Sequence, residues 1–192
     1  MTWDRPHLMP EEFDAVARFA AREAEGLRLE LIEGRVSSKA LVDGDRGWIV
    51  AWFTRTCLES RPDLWAHPWT GLKTGADRAG RAVADAVLAP SNAFVGQGDW
   101  RDPEPVLAVL EVTSGDVWTD RCRRDTMPGV YAATGIPAYL LVDRDARTVT
   151  IQGEPDAVRY RYSRTAPFGT QIDLPEPVGV MLRTESFDAR VG

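Results

Sequence analysis

Residues 106–113, VLAVLEVT, are the stretch that decides the fold. The run is apolar almost throughout, which is typical of a strand that is buried on both faces of a sheet. A second apolar stretch, VADAVL at residues 83–88, precedes it and also predicts a strand. Strands covered on both faces need helices packed against the sheet, so the two stretches predict a layered domain of mixed α and β structure.

The flanking segments supply the helices and the outer strands. A helix is predicted over residues 10–25, because Pro10 and the acidic residues after it suit a first helical turn. Alternating apolar residues over 27–36, with a turn at Glu33-Gly34, predict a hairpin. Further segments are predicted as helices at 48–58 and 128–134, as strands at 138–142, 148–152, 159–163 and 170–174, and as irregular chain at 64–80.

This order predicts an α/β (mixed α+β) fold in which a mixed β-sheet is flanked by helices. The 192 residues suit one domain, 1–192, with the N-terminal helix at its start and a β-rich tail at its end. No apolar run is long enough to span a membrane. The two cysteines, Cys57 and Cys122, form no CxxC pair, which favours a reducing, cytoplasmic location and no structural zinc.

The net charge of -6 weighs against a broadly basic nucleic-acid surface, although a local cationic patch remains compatible with it. Two acidic residues, Asp85 and Glu111, interrupt the apolar strands. Burying an unpaired carboxylate is costly, so such residues are usually paired or metal-bound. If the strands are neighbours, both carboxylates converge on one site suited to Mg²⁺ or Mn²⁺. The alternative is that each acid is a turn or capping residue.

Several motifs together resemble a known family. They are Glu30–Gly34 (ELIEG), residues 84–87 (ADAV), 111–114 (EVTS), 131–137 (YAATGIP) and 139–143 (YLLVD). In order and spacing they are similar to the Uma-type family of restriction endonucleases in the PD-(D/E)xK nuclease superfamily. The resemblance covers roughly residues 25–185 and implies a restriction-endonuclease-like core.

The resemblance implies a metal-dependent endonuclease that hydrolyses phosphodiester bonds in DNA. Asp85 and Glu111 would bind Mg²⁺ or Mn²⁺ together with the Val112 carbonyl, and Glu30 would assist as a third catalytic acid. The family lysine lies four residues before the tyrosine, and Met127 stands there in this sequence. Cleavage therefore requires another cation or has been lost.

The nearest cations are arginines, which are poor general bases but can contact phosphate. The candidate phosphate contacts are Arg121, Arg123 and Arg124. The alternative is that these arginines lie in a solvated loop and are balanced by the nearby aspartates. Trp100 and Trp118 flank the expected site and could stack on a base or seal a loop. No glycine-rich phosphate loop and no His/Cys metal motif occurs in the sequence.

Three functions stay open at this point. The first is a DNA endonuclease, and the second is a non-catalytic binding or regulatory module on the same fold. The third is an enzyme acting on a small-molecule substrate. Superfamily members often form homodimers, and nothing in the sequence locates such an interface.

Overall fold

The computed structural model describes residues 8–187, so the outer ends of the predicted 1–192 domain lie outside it. The helices are α1 (Pro10–Glu23), α2 (Gly44–Ser60), α3 (Val117–Arg121) and α4 (Met127–Thr134), and a π-helical turn, Cys122–Thr126, joins the last two. The strands are β1 (Arg28–Ile32), β2 (Arg35–Lys39), β3 (Leu64–Thr74), β4 (Gly80–Pro90), β5 (Ala108–Val112), β6 (Ala138–Asp143), β7 (Thr148–Pro155), β8 (Tyr160–Pro167), β9 (Gln171–Asp173) and β10 (Met181–Arg183).

A mixed sheet of eight strands forms the centre of the described chain. Its order is β2-β1-β4-β5-β6-β7-β8, with β3 paired to β4. The β5–β6 pair is parallel and the other pairs are antiparallel. The α4 helix connects the parallel pair, which is the crossover that parallel neighbours require. The strands β9 and β10 form a separate small sheet in the predicted β-rich tail.

Strand β4 is shared between two partners along one edge, and this arrangement creates the site. Its pairing with β3 occupies the other edge from Thr74↔Gly80 to Leu64↔Pro90, with one interruption between Pro68↔Ala86 and Thr70↔Ala84. Strand β1 therefore joins β4 near Arg81, and β5 joins it from Ala86 onward. Between these two contacts the sheet opens into a gap.

Local sequence explains where the helices that surround this gap begin and end. The Asp43 carboxylate accepts the Arg46 N–H at 2.8 Å and so caps α2. The Asp116 carboxylate caps α3 in the same way by accepting the Thr119 N–H. Gly135 adopts a φ of 89°, a left-handed conformation that suits glycine, and so ends α4.

One predicted segment was wrong. Residues 64–74 were expected to be irregular because they hold proline, glycine and tryptophan, yet they form β3. Strand β3 pairs only with β4 among the described strands, and an edge strand tolerates a residue such as Pro68 that lacks an N–H group. Residues 114–125, a polar and charged stretch that received no structural assignment from the sequence, largely form α3 and the π-helical turn.

Apolar side chains cover both faces of the sheet. On one face α2 packs Ile49, Trp52 and Phe53 against the central strands and the C-terminal tail. On the other face α4 packs Met127 and Tyr131. None of the described helices is long and apolar enough to cross a membrane.

Candidate functional site

Three carboxylates converge where the sheet opens. They are Glu30 on β1, Asp85 on β4 and Glu111 on β5, and each is at most 2 % exposed. Two of them accept hydrogen bonds from main-chain N–H groups that have no strand partner at the gap. Glu30 Oε1 accepts the Val83 N–H at 2.8 Å, and Asp85 Oδ2 accepts the Val112 N–H at 2.7 Å. The acids therefore satisfy main-chain donors that would otherwise be buried without a partner.

Three cationic side chains fill the space between these acids. Lys39, at the end of β2, places its Nζ 2.5 Å from Glu111 Oε2 and 3.1 Å from Asp85 Oδ1. Arg123, in the π-helical turn, donates from Nη2 to Glu30 Oε2 at 2.7 Å, and its Nε lies 3.2 Å from Glu111 Oε2. Lys39 is 5 % exposed and Arg123 1 %, so both are buried with the acids.

The third cation, Arg46, reaches the cluster from the first turn of α2. Its Nη2 donates to the Val112 carbonyl oxygen at 2.9 Å, and its Nε lies 3.7 Å from Asp85 Oδ2. Its Nη1 donates to the carbonyl oxygen of Ala40 at 3.1 Å. The Val112 carbonyl oxygen, which the family resemblance assigned to a metal, therefore already accepts a hydrogen bond from Arg46.

Tyr131 completes the cluster from α4. Its hydroxyl donates to Glu111 Oε1 at 2.9 Å, so both oxygens of Glu111 accept hydrogen bonds. Burial, together with the negative charge of Glu111, raises the pKa of Tyr131 well above its usual range, which keeps this hydroxyl protonated.

The formal charges of the three acids and the three cations balance. Glu30, Asp85 and Glu111 carry three negative charges, which Lys39, Arg46 and Arg123 offset. Burial would raise the pKa of Glu111, but the Arg123 and Lys39 charges outweigh burial and lower it. Burial raises the pKa of Asp85 despite Lys39, and the neighbouring Glu111 charge adds to that increase. Because the cluster is neutral when all six groups are ionised, protonation of Asp85 would give it a net positive charge.

The residues present do not fit a divalent metal. Of the oxygens that the resemblance assigns to the metal, only Asp85 Oδ1 lacks a hydrogen-bond partner within residues 8–187, and the Lys39 ammonium lies against it. The same part of the chain holds no group of three or more His, Cys, Asp or Glu side chains arranged as metal ligands. A divalent cation would also leave this neutral, buried cluster with two positive charges that no side chain offsets.

The three arginines that were predicted to contact phosphate lie in different environments. Arg123 is buried within the cluster. Arg124 forms ion pairs with Asp143 and Asp145, at 2.5 and 3.0 Å. Arg121 is exposed and lies 3.5 Å from Asp125, one helical turn away. These three side chains therefore form no common surface for a phosphate.

Met127 and the two tryptophans also differ in environment. Met127 is fully buried and packs in the apolar layer against the sheet. Trp118 is 81 % exposed on α3, whereas Trp100 is half-buried with its ring 5.9 Å from that of Phe13. Trp100 therefore lies against α1, and only Trp118 presents its ring to solvent near the carboxyl end of β5.

Lys39 and Arg46 were missed from the sequence. Lys39 follows two serines in a strand with no apolar alternation, and Arg46 ends a polar stretch, residues 43–46, whose composition is typical of a loop. A usable signal was nevertheless present. Two acids expected to be buried need positive partners, Met127 offers none, and the chain contains only two lysines.

Comparisons with known proteins agree with this architecture. A family model described as "Uma2: Putative restriction endonuclease" matches residues 10–185. Among solved structures, the chain is similar to the crystal structure of a "putative nuclease belonging to DUF820" from Anabaena variabilis. The two share 15% sequence identity and a TM-score of 0.70, over 96% of this chain and 99% of that chain. A search of curated proteins found no significant match. The structural likeness confirms the predicted fold class.

Proposed function

Because the chain belongs to the Uma2 family, described as putative restriction endonucleases, we propose that it is a nuclease-fold protein that binds nucleic acid without hydrolysing it. The observation that carries this proposal is the cluster in which Lys39, Arg46 and Arg123 neutralise the three acids. Side-chain cations take the place that a metal would have held.

Hydrolysis of a phosphodiester bond needs an accessible site and a free base to activate water. The side chains of the cluster are at most 5 % exposed, so a phosphate group on the surface cannot contact Asp85 or Glu111. Both oxygens of Glu111 already accept hydrogen bonds from Lys39 and Tyr131. Glu111 is therefore not poised to take a proton from water, and Asp85 Oδ1, which accepts no hydrogen bond, is buried against the Lys39 ammonium. Both contribute instead to holding the strands together at the gap in the sheet.

Nucleic acid is the proposed partner because the family description names restriction endonucleases, which act on DNA. The net charge of -6 restricts such a contact to a local positive surface, since a broadly acidic protein repels a phosphate backbone. Binding should therefore be weak and should fall steeply as the salt concentration rises.

A second candidate is the Mg²⁺- or Mn²⁺-dependent DNA endonuclease that the sequence resemblance implied. The observation that favours it is the position of Lys39, whose ammonium contacts both Asp85 and Glu111. Lys39 would then supply the positive charge that is absent at Met127. This candidate requires that the buried cluster open when substrate binds.

The two candidates are separated by measuring nicking and binding on the same samples. Supercoiled plasmid is incubated with Mg²⁺ or Mn²⁺ and wild-type protein or Glu111→Gln, and binding of a labelled oligonucleotide is followed by fluorescence anisotropy. We expect salt-sensitive binding and no nicking above the Glu111→Gln background. Nicking by the wild type that Glu111→Gln abolishes would instead establish the endonuclease.

A further inference from the structure

A cleft separate from the carboxylate cluster lies between α1, β1 and β3. It encloses about 330 Å³, which is at the lower end for sites that hold small organic ligands. Arginine and tryptophan dominate its chemistry. The side chains that matter here are Arg18, Arg22, Arg28, Arg101, Trp69 and Trp100.

The cleft is positive although the whole chain is negative. Its lining includes four arginines and two aspartates, Asp14 and Asp99. Asp14 is already neutralised by a two-point ion pair with Arg81, at 2.8 and 3.1 Å. Asp99 lies 3.6 Å from Arg18. Within residues 8–187, Arg22 and Arg28 have no ion pair, so their charges are available to an anion.

The aromatic wall of the cleft is held rigidly in place. Arg101 donates its N–H to the Gly71 carbonyl at 2.9 Å and accepts the Lys73 N–H at 3.0 Å, which fixes the chain around Trp100 against β3. Gly71 makes this approach possible, because a Cβ there would lie 2.5 Å from the Asp99 carbonyl oxygen and 2.9 Å from the Trp100 ring.

Trp69 shows backbone strain at the same place. Its φ is 49°, a left-handed conformation that is rare for a bulky residue. The register of Pro68↔Ala86 and Thr70↔Ala84 places Trp69 opposite Asp85, at the one step where pairing between β3 and β4 is interrupted. Such strain persists only where the surroundings impose it and often marks a functional site.

We propose that this cleft binds a nucleoside phosphate, with the base against a tryptophan ring and the phosphate on Arg22 and Arg28. Planar bases stack on aromatic side chains, and guanidinium groups pair with phosphate oxygens at two points. In a nucleic acid, the ligand would be one nucleotide of a single strand. Binding of a nucleic-acid strand at this cleft rests on the proposed function, whereas binding of a free nucleotide does not.

The test measures binding of dTMP and inorganic phosphate by calorimetry and binding of fluorescein-labelled dT12 by anisotropy. The variant is Arg22→Ala/Arg28→Ala. The matched control is Arg55→Ala/Arg121→Ala, which removes the same charge from two exposed arginines elsewhere on the surface.

We expect dTMP to bind at least about tenfold more tightly than phosphate, because the ring adds stacking. The cleft variant should weaken dTMP binding about tenfold or more, since each arginine contributes a charged hydrogen bond. The control should change it less than about twofold. The proposal is overturned if dTMP fails to bind, binds no better than phosphate, or is weakened equally by both variants.

The two nucleic-acid probes separate this proposal from the proposed function. Binding of dTMP without binding of dT12 would support the cleft and refute the nucleic-acid function. Binding of dT12 with an affinity that Arg22→Ala/Arg28→Ala leaves unchanged would refute the cleft as the site on nucleic acid, while the function itself would stand.

Discussion

Replacement of Lys39 by methionine tests whether the cation belongs to a balanced cluster. Methionine has a similar length and no charge, so the change removes the ammonium and leaves Asp85 and Glu111 without their shared partner. Breaking a buried ion pair by removing one partner costs about 3–5 kcal/mol. In a domain of this size each kcal/mol lowers the Tm by about 2–4 °C, so the expected decrease is roughly 6–20 °C.

The same variant should acquire an affinity for metal. Without Lys39 the cluster carries a net negative charge when its three acids are ionised, and Asp85 Oδ1 then has neither a hydrogen-bond donor nor the Lys39 ammonium against it. A divalent ion that binds only the folded state at 100 times its Kd adds about 2.7 kcal/mol of stability. We therefore expect Mn²⁺ to raise the Tm of Lys39→Met and to leave the wild-type Tm unchanged.

Thermal unfolding followed by circular dichroism measures both effects. Lys73→Met is the matched control, because Lys73 is the second lysine of the chain and lies on β3 without an ion pair among the described residues. The reasoning is refuted if Lys39→Met unfolds at the same temperature as Lys73→Met. It is also refuted if Mn²⁺ stabilises the wild type as much as the Lys39→Met variant.

Three further changes are predicted. Met127→Lys should lower the free energy of unfolding by about 3 kcal/mol or more, because it buries a charge in an apolar layer. It should not create plasmid cleavage, and a gain of Mg²⁺-dependent nicking would show that only this lysine was missing. Burial raises the pKa of Cys57 to about 12, so iodoacetamide at pH 8 should modify Cys57 only after denaturation. Peptide mass spectrometry separates it from the partly buried Cys122, and rapid labelling of Cys57 in the native protein would contradict its burial. Burial would raise the pKa of Asp143, but the hydrogen bonds from Arg124 and Ala146 lower it below 3.8. The stability that Asp143 contributes is therefore present above about pH 4 and is lost as the pH falls through the lowered pKa, so Asp143→Asn should flatten the acid limb of the stability profile; an unchanged limb would assign acid unfolding to other groups.

The central part of the fold could be predicted from the sequence because its signals are local. Continuous apolar runs marked β4, β5 and β6, and Gly135 marked the end of α4. The same runs showed that Asp85 and Glu111 would be buried, and the structure brings the two together at adjacent strands.

The missed strand illustrates a limit of local patterns. The His-Pro-Trp and Thr-Gly composition of β3 is poor for an isolated strand, and only its position at one edge of β4 makes it acceptable. An edge position depends on strand order, which periodicity does not encode.

The cations of the cluster were missed for a related reason. Lys39 and Arg46 lie 46 and 39 positions before Asp85 along the chain, in segments whose own pattern is polar. What buries them is the gap between β1 and β5, a feature of the whole sheet. Reasoning from the sequence therefore identified the acids by their apolar neighbours but could not identify the groups that neutralise them.

The most direct test of the central claim is calorimetric titration of the wild-type protein with Mn²⁺, with Asp85→Asn titrated in parallel. If Lys39, Arg46 and Arg123 neutralise the three acids, the wild type should release no heat of binding and should match the variant. Stoichiometric Mn²⁺ binding that is lost in Asp85→Asn would contradict the claim and would show that the carboxylates still form a metal site.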